Sequence, residues 1–238
     1  MPAEFSLRRA DAADLPAIAT VLIQARAAAV PAMPPAAHDA DATVAWVQGW
    51  DLAEREVWVA EAGSGDGVVG FLALTPTWLD HLYVAPAAQR HGVGSALLDV
   101  ALATRPRGFG LWVFETNEPA RRFYRQAGLI ELERTDGSEN EEGAPDIRVV
   151  WPGERPLEFL RSEIDQVDGL LADLLARRVA LTAAVQVRKP VGGQAGRDPV
   201  REREIADRMA ARVPALGPER VARIVDAIIT ESLDATHR

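Results

Sequence analysis

The 238-residue sequence has no cysteine and, among 26 basic residues, a single lysine, Lys189. Without thiols, disulfides, thiolate metal sites and thiol nucleophiles are excluded, and a reducing cytoplasm is the expected compartment. The four histidines are scattered, which argues against a metal site. No apolar run approaches the roughly 20 residues of a membrane-spanning helix, so no membrane partner is expected. Met1 to Arg9 lack the basic segment, apolar stretch and small-residue cleavage site of a secretory signal. Basic residues are also scarce in the first part of the chain, with 12 Lys/Arg against 21 Asp/Glu over residues 1–153 and 14 against 14 over residues 154–238. The whole net charge of −9 therefore belongs to the first part. Such a balance does not suggest a nucleic-acid partner; it suits a cationic small substrate, or simply a solvated surface.

What is present divides the same way. The length and the 48% hydrophobic content suit two modest domains with real cores. Residues 57–61, 68–74, 81–84, 109–114 and 147–151 read as strands, and 12–29 and 94–103 as helices, an alternation that argues for an α/β domain. Past Pro152-Gly153-Glu154-Arg155-Pro156 no strand signal remains, and residues 157–188, 199–212 and 218–233 read as helices. Asp198 before Pro199, and Gly217 before Pro218, place a cap ahead of a proline at the first helical position. The expected division is a domain over 1–152, a linker over 153–156 and a helical domain over 157–238. Residues 192–196 form a flexible glycine-rich connector, and the proline- and alanine-rich stretch 31–35 reads as a surface loop or a substrate-side excursion.

The strand at His81 runs through a turn into Gln89-Arg90-His91-Gly92-Val93-Gly94-Ser95 and a helix. Free N–H groups and the positive dipole end at a helix N-terminus bind phosphate, and glycines admit the ligand to the backbone. Taken alone, the glycines are equally a tight turn. The run Gln89 to Gly94 resembles the Gln/Arg-x-x-Gly-x-Gly/Ala loop of the GNAT acetyltransferases, and Asn117-Glu118-Pro119-Ala120-Arg121-Arg122-Phe123-Tyr124 resembles the helix that follows in that family. Over residues 5–151 the resemblance implies a mixed-sheet α/β fold that binds acetyl-CoA as acyl donor. Gln89, Arg90, His91, Gly92, Val93, Gly94 and Ser95 would hold the ligand with Asn117, and the backbone near Leu82 to Val84 would polarise the thioester carbonyl. A small-molecule amine would attack the thioester directly, with Tyr124 protonating the leaving thiolate; Tyr124 otherwise reads as a packed aromatic after Phe123. Glu61, His81 and Glu115 lie near strand ends as candidate general bases, each as readily structural. The acidic stretch Asn140-Glu141-Glu142 to Asp146 would draw an amine or serve as a solvated hairpin loop.

In the helical part, Leu160, Ile164, Val167, Leu171, Leu174, Arg178, Leu181 and Val185 follow at steps of three and four, the seam of an amphipathic helix. An unpaired guanidinium buried there costs several kcal/mol, so Arg178 must snorkel, pair with an acid, or await an anion. The same stripe reaches Lys189, which suggests a need for a compact ammonium. On the third helix Val221, Val225, Ile228 and Ser232 share a face, and Ser232 reads equally as a serine bonded to its own backbone. Arg161, Arg178, Lys189, Asp198, Arg201, Glu202 and Ser232 in this arrangement resemble the all-helical chorismate mutases over about residues 157–236. That resemblance implies an all-α three-helix domain, an intertwined homodimer and a site completed by Arg161 of the partner. Arg178 would hold a carboxylate of chorismate, Lys189 would donate to the ether oxygen and a carboxylate, and Asp198, Arg201, Glu202 and Ser232 would orient the remaining groups. Two features depart from the family. Thr236 stands where Gln or Glu usually follows the serine by one turn, and Pro190 should end the first helix early. The competing expectation is that the helical domain is a non-catalytic dimerisation or ligand-sensing module.

Overall fold

The computed structural model describes residues 5–63 and 67–236. The first four residues, part of the segment read for a leader, lie outside the described residues. The chain forms two compact units that meet in sequence at Leu160 and Arg161.

In the first unit, β1 (Phe5–Arg9), β2 (Glu56–Ala62), β3 (Val68–Leu74) and β4 (Leu79–Val84) form an antiparallel sheet in that order. Helices α1 (Leu15–Ala28) and α2 (Ala40–Gln48) lie between β1 and β2, and α3 (Val93–Thr104) follows β4. A second antiparallel sheet has the order β5 (Phe109–Phe114), β7 (Asp146–Trp151), β6 (Ile130–Arg134), with α4 (Glu118–Gln126) between β5 and β6. The uninterrupted apolar run of β3 is explained by burial on both faces, since successive side chains point to opposite sides. Phe71 and Ala73 pack with Leu15, Ile18 and Leu22 of α1, while Leu72 and Leu74 pack with Val93, Leu97 and Ala101 of α3. Arg8 ties the entry of α1 to β2, reaching Asp14 and Glu61, each at 2.7 Å.

The two sheets touch where β4 and β5 run parallel at a single bridge, Trp78 to Gly110. Gly110 N–H donates to the Thr77 carbonyl at 2.9 Å, and Trp78 stacks on Trp112. Beyond this pin the strands belong to separate sheets and part. A Cβ on Gly110 would lie 3.0 Å from the Trp78 ring, so glycine permits the close approach.

Five expected strands and both expected helices of this unit are present within two or three residues of the expected bounds. The pattern did not disclose β1, β6 or α2. β1 and β6 are only five residues long and contain no buried residue, and β6 sets exposed Ile130 and Leu132 among Glu131, Glu133 and Arg134.

The second unit contains α5 (Pro156–Gln186), which begins in the first unit, α6 (Pro199–Arg212) and α7 (Pro218–Ala235). Asp198 caps α6, accepting from the N–H groups of Val200 and Arg201. Helix α5 stops at Gln186, two residues short of the periodic pattern and ahead of Pro190, as that proline requires. Helices α6 and α7 close on Ala206, Val221, Val225, Ile229 and Leu233. None of the 31 residues of α5 is buried, and its seam residues Ile164, Leu171 and Leu174 are 59%, 48% and 62% exposed. Among the described residues no helix is long and apolar enough to cross a membrane.

Replacing Gly110 by valine forces the indole of Trp78 off the pin. It is expected to destabilise the first unit by about 1–3 kcal/mol in urea unfolding and to alter the near-UV circular dichroism of the Trp78–Trp112 stack.

Candidate active sites

The parting of β4 from β5 exposes the outer edge of β4. Ala85 N–H donates to Val69 O, and Tyr83 faces Phe71 across the sheet. In an antiparallel ladder the alternate residues, Leu82 and Val84, then direct their backbone groups away from β3, toward the gap. Val84 O accepts there from the Gln89 side chain at 3.1 Å, which fixes the start of the glycine loop. Arg90 has φ of 64°, a left-handed conformation rare for a non-glycine residue, and Gly92 follows at 87° as the N-cap of α3. No side chain caps α3. Val93 is buried and anchors the loop from beneath, while Gly92, Gly94 and Ser95 line a cavity of about 620 Å³.

The same cavity is lined by Leu82, Val84, Gln89, Arg90, Asn117 and Tyr124. Asn117 caps α4, accepting from Ala120 N–H at 3.2 Å, so one end of its amide is structural and it stands at the wall. His91 is exposed and outside the lining, and the Val93 side chain belongs to the core, so of the loop these two offer at most backbone. Val30 to Met33, in the proline-rich stretch, form part of the wall. An uncapped helix N-terminus, with glycines beside a cavity, fits a pyrophosphate. Tyr124 is buried; desolvation, then neighbouring Tyr83, pushes its phenol well above the usual range, so the hydroxyl keeps its proton at neutral pH. It lines both this cavity and the narrow wedge between β4 and β5.

Tyr83 also walls a second cavity, of about 470 Å³, with Arg26, His38, Trp46, His81, Glu141 and Glu142. The acidic loop joins the antiparallel pair β6 and β7 as a hairpin, and its Glu141 and Glu142 also line this cavity. Asn140 holds it by donating to Ala144 O at 2.8 Å and Asp146 Oδ2 at 3.0 Å, Glu142 pairs with Arg26 at 2.6 Å, and Glu141 Oε2 lies 3.1 Å from His38 Nε2. Two of the three candidate bases fall away. Glu61 is held by Arg8, and Glu115 is bound by Arg134 while its carbonyl accepts from Arg121; neither lines a cavity. His81 does line the second cavity, half-buried, stacked on Trp50 at 5.3 Å and edge-on to Trp46 at 5.4 Å. Desolvation, then the charges of Arg55 and Arg26, pushes its pKa down to about 3, so the imidazole is neutral.

In the helical unit, Arg178, Lys189, Asp198, Arg201 and Glu202 line one cavity of about 510 Å³. Arg178 Nη1 donates to Ser232 Oγ at 2.8 Å and Ser232 donates to Ile228 O at 2.5 Å, so the serine both bonds its own helix and braces the arginine. Lys189 Nζ donates to Gly196 O at 2.6 Å, across the connector. Arg161 is exposed on α5 and outside this lining. Thr236 donates to Leu233 O at 2.7 Å and is also outside it. Sequence reasoning missed Arg197, which lines the cavity, grips Glu202 through Nε at 2.9 Å and Nη2 at 2.5 Å, and reaches Asp226 at 2.6 Å. Its contacts with Asp226 and Thr230 lie on α7, beyond the reach of any local pattern.

Two family models match: the acetyltransferase (GNAT) domain over residues 53–129, and chorismate mutase type II over residues 160–237. A mycothiol acetyltransferase of Mycobacterium avium is 42% identical over 72 residues, 28% of this chain and 23% of that protein. The chain therefore spans about a quarter of that relative's length, 23%. The peptidyl-lysine N-acetyltransferase YjaB of Salmonella typhimurium is 31% identical over 101 residues, 42% of this chain and 68% of the relative. The solution structure of apo-form YjaB from Escherichia coli superposes with a TM-score of 0.52 and 25% identity, covering 63% of this chain and 99% of that one.

Because the His81 pKa falls from 6.5 in the unfolded chain to about 3, the unfolded state binds the extra proton between those values. The stability His81 contributes is therefore complete above about pH 6.5 and is lost as pH falls toward 3. NMR should find the His81 ring neutral down to about pH 4, and His81→Phe should lose less stability than wild type on acidification from about pH 7 to 4.

Proposed function

The chain belongs to the GNAT acetyltransferases in its N-terminal part and carries a type II chorismate mutase domain behind it, and we propose that both domains are catalytically active. The reading is carried by one observation: each domain gathers the groups its reaction needs around a cavity of its own. In this proposal the first domain transfers acetyl from acetyl-CoA to a small-molecule amine, and the second converts chorismate to prephenate in a cytoplasmic homodimer.

Acetyl-CoA, when bound, supplies an activated acetyl thioester. The first turn of α3 and the loop from Gln89 to Ser95 hold its pyrophosphate, with Asn117 on the opposite wall. Leu82 and Val84 present backbone groups along the free edge of β4, where an N–H polarises the carbonyl. Tyr124 keeps a proton on its hydroxyl by burial and delivers it to the leaving sulfur. The second cavity, walled from the first by Tyr83, receives the amine.

Chorismate is a dianion whose rearrangement needs no nucleophile and no proton transfer, only clamping of the reactive conformer and a donor at the breaking ether bond. Arg178, braced by Ser232, holds a carboxylate, and Lys189 serves the ether oxygen. Arg197 holds Glu202 in place for the ring hydroxyl, together with Asp198 and Arg201. The bare seam of α5 is covered by a second copy, whose Arg161 completes the anion clamp. One observation favours the non-catalytic reading of this domain: Thr236 is turned onto its own helix and offers the ether oxygen nothing.

Arg178→Ala is expected to lower chorismate turnover about 100-fold or more, followed by chorismate absorbance, with acetyl-CoA affinity unchanged in calorimetry. Tyr124→Phe should lower kcat for acetyl transfer by about 100-fold with little change in the KM for acetyl-CoA. A folded wild-type dimer without chorismate turnover would instead establish the ligand-sensing reading.

A further inference from the structure

An amine arrives at neutral pH as ammonium and must lose a proton before its nitrogen can attack. Six titratable or charged groups line the second cavity: Arg26 from α1, His38 from the stretch before α2, His81 and Tyr83 from β4, and Glu141 and Glu142 from the loop before β7. Four are committed elsewhere. Arg26 and Glu142 bind each other at 2.6 Å. Tyr83 is a buried phenol whose proton is held tighter than usual by desolvation, although Arg26 hydrogen-bonds it. His81 is kept neutral by burial among tryptophan rings and by nearby arginines. What remains is His38 with Glu141, Nε2 to Oε2 at 3.1 Å, the two side chains 62% and 74% exposed. Here 103 residues of sequence separation close into one pair at the cavity wall. A carboxylate on one ring nitrogen orients an imidazole and leaves the other nitrogen to work.

Building on the acetyltransferase reading, we infer that His38, oriented by Glu141, is the general base that deprotonates the acceptor amine in this cavity. Glu141 accepts from Nε2, and His38 Nδ1 takes one proton from the ammonium and passes it to water, to which the ring is open. The freed nitrogen lone pair forms the amide C–N bond as the C–S bond breaks with its electrons on sulfur. Tyr124 protonates that sulfur and is restored by the nitrogen's second proton, so one proton is released per turnover. Leu22, Ala36, Ala37, Ala42 and Trp46 make the rest of the wall apolar but for Thr43, whose hydroxyl donates to Asp39 O, so the acceptor is a primary amine on an apolar skeleton.

The test uses the full chain, acetyl-CoA, and 2-phenylethylamine and 1,5-diaminopentane as probe amines, with thiol release followed against pH. Wild-type kcat/KM should rise with pH as a single group loses its proton. His38→Gln should lower it about 100-fold or more and remove that limb, with acetyl-CoA affinity unchanged. Glu141→Gln should lower it less, because the ring loses the partner that orients it while Nδ1 remains. A second readout needs no acceptor: nitrogen NMR should find the neutral His38 ring protonated on Nε2 in the wild type, and that tautomer preference should weaken in Glu141→Gln. Wild-type rate and pH limb in His38→Gln, or an unchanged His38 tautomer in Glu141→Gln, overturns the base assignment while acetyl-CoA still binds. Failure of the wild type to bind acetyl-CoA in calorimetry overturns the acetyltransferase reading itself, and the base with it.

Discussion

The single parallel bridge between Trp78 and Gly110 governs the first unit. Two parallel strands joined along their length would consume the backbone groups of both edges; joined at one end only, they diverge and leave the far half of β4 with N–H and C=O groups aimed at an open gap. The gap is where chemistry is possible, because unsatisfied backbone dipoles are fixed there at no cost in reorganisation. The neighbouring elements then use that edge. Gln89 bonds Val84 O and sets the glycine loop, α3 starts uncapped beside it, and Tyr124 closes the wedge from α4. The stack of Trp78 on Trp112, with Arg148 over the Trp78 ring at 5.6 Å, keeps the pin from sliding.

Burial divides labour among the aromatic and acid–base groups on β4 and α4. His81, Tyr83 and Tyr124 share the gap, and desolvation moves all three toward their neutral forms. Neutral phenols donate hydrogen bonds but do not collect protons at pH 7, and a neutral imidazole with so low a pKa is a wall. In the proposed reaction, proton collection falls to the solvent-facing rim, where the loop before β7 meets the stretch before α2. This suits an acidic loop whose two adjacent glutamates bond different partners, one a half-buried arginine and the other an exposed histidine.

The sequence disclosed what local pattern encodes. The glycine loop, the proline-led helices α6 and α7 and the apolar strands β3 and β5 each carry periodicity or punctuation within a dozen residues. The cations on the α5 seam stood out because charge on an apolar stripe is costly. What stayed hidden depends on long-range pairing. Glu61 and Glu115 looked available near strand ends until Arg8 and Arg134 were seen to hold them. Arg197 meets α7 across 29 to 33 residues, and His38 meets Glu141 across 103. Weak edge strands such as β6 escape notice because five residues with two exposed aliphatic side chains among charges carry little burial signal.

The solitary lysine now has a geometric reason in an otherwise all-arginine inventory. Pro190 stops α5, and the chain folds back so that Gly193 N–H meets Gln186 Oε1 and Gly196 O meets Lys189 Nζ, each at 2.6 Å. The connector thereby closes against the end of the helix and narrows the cavity wall. An ammonium has three donors around one atom, so a bond to Gly196 O leaves two for the cavity. A guanidinium spreads its donors across a plane and would need the connector to stand farther off. The same contact that shapes the cavity thus selects the side chain that serves it.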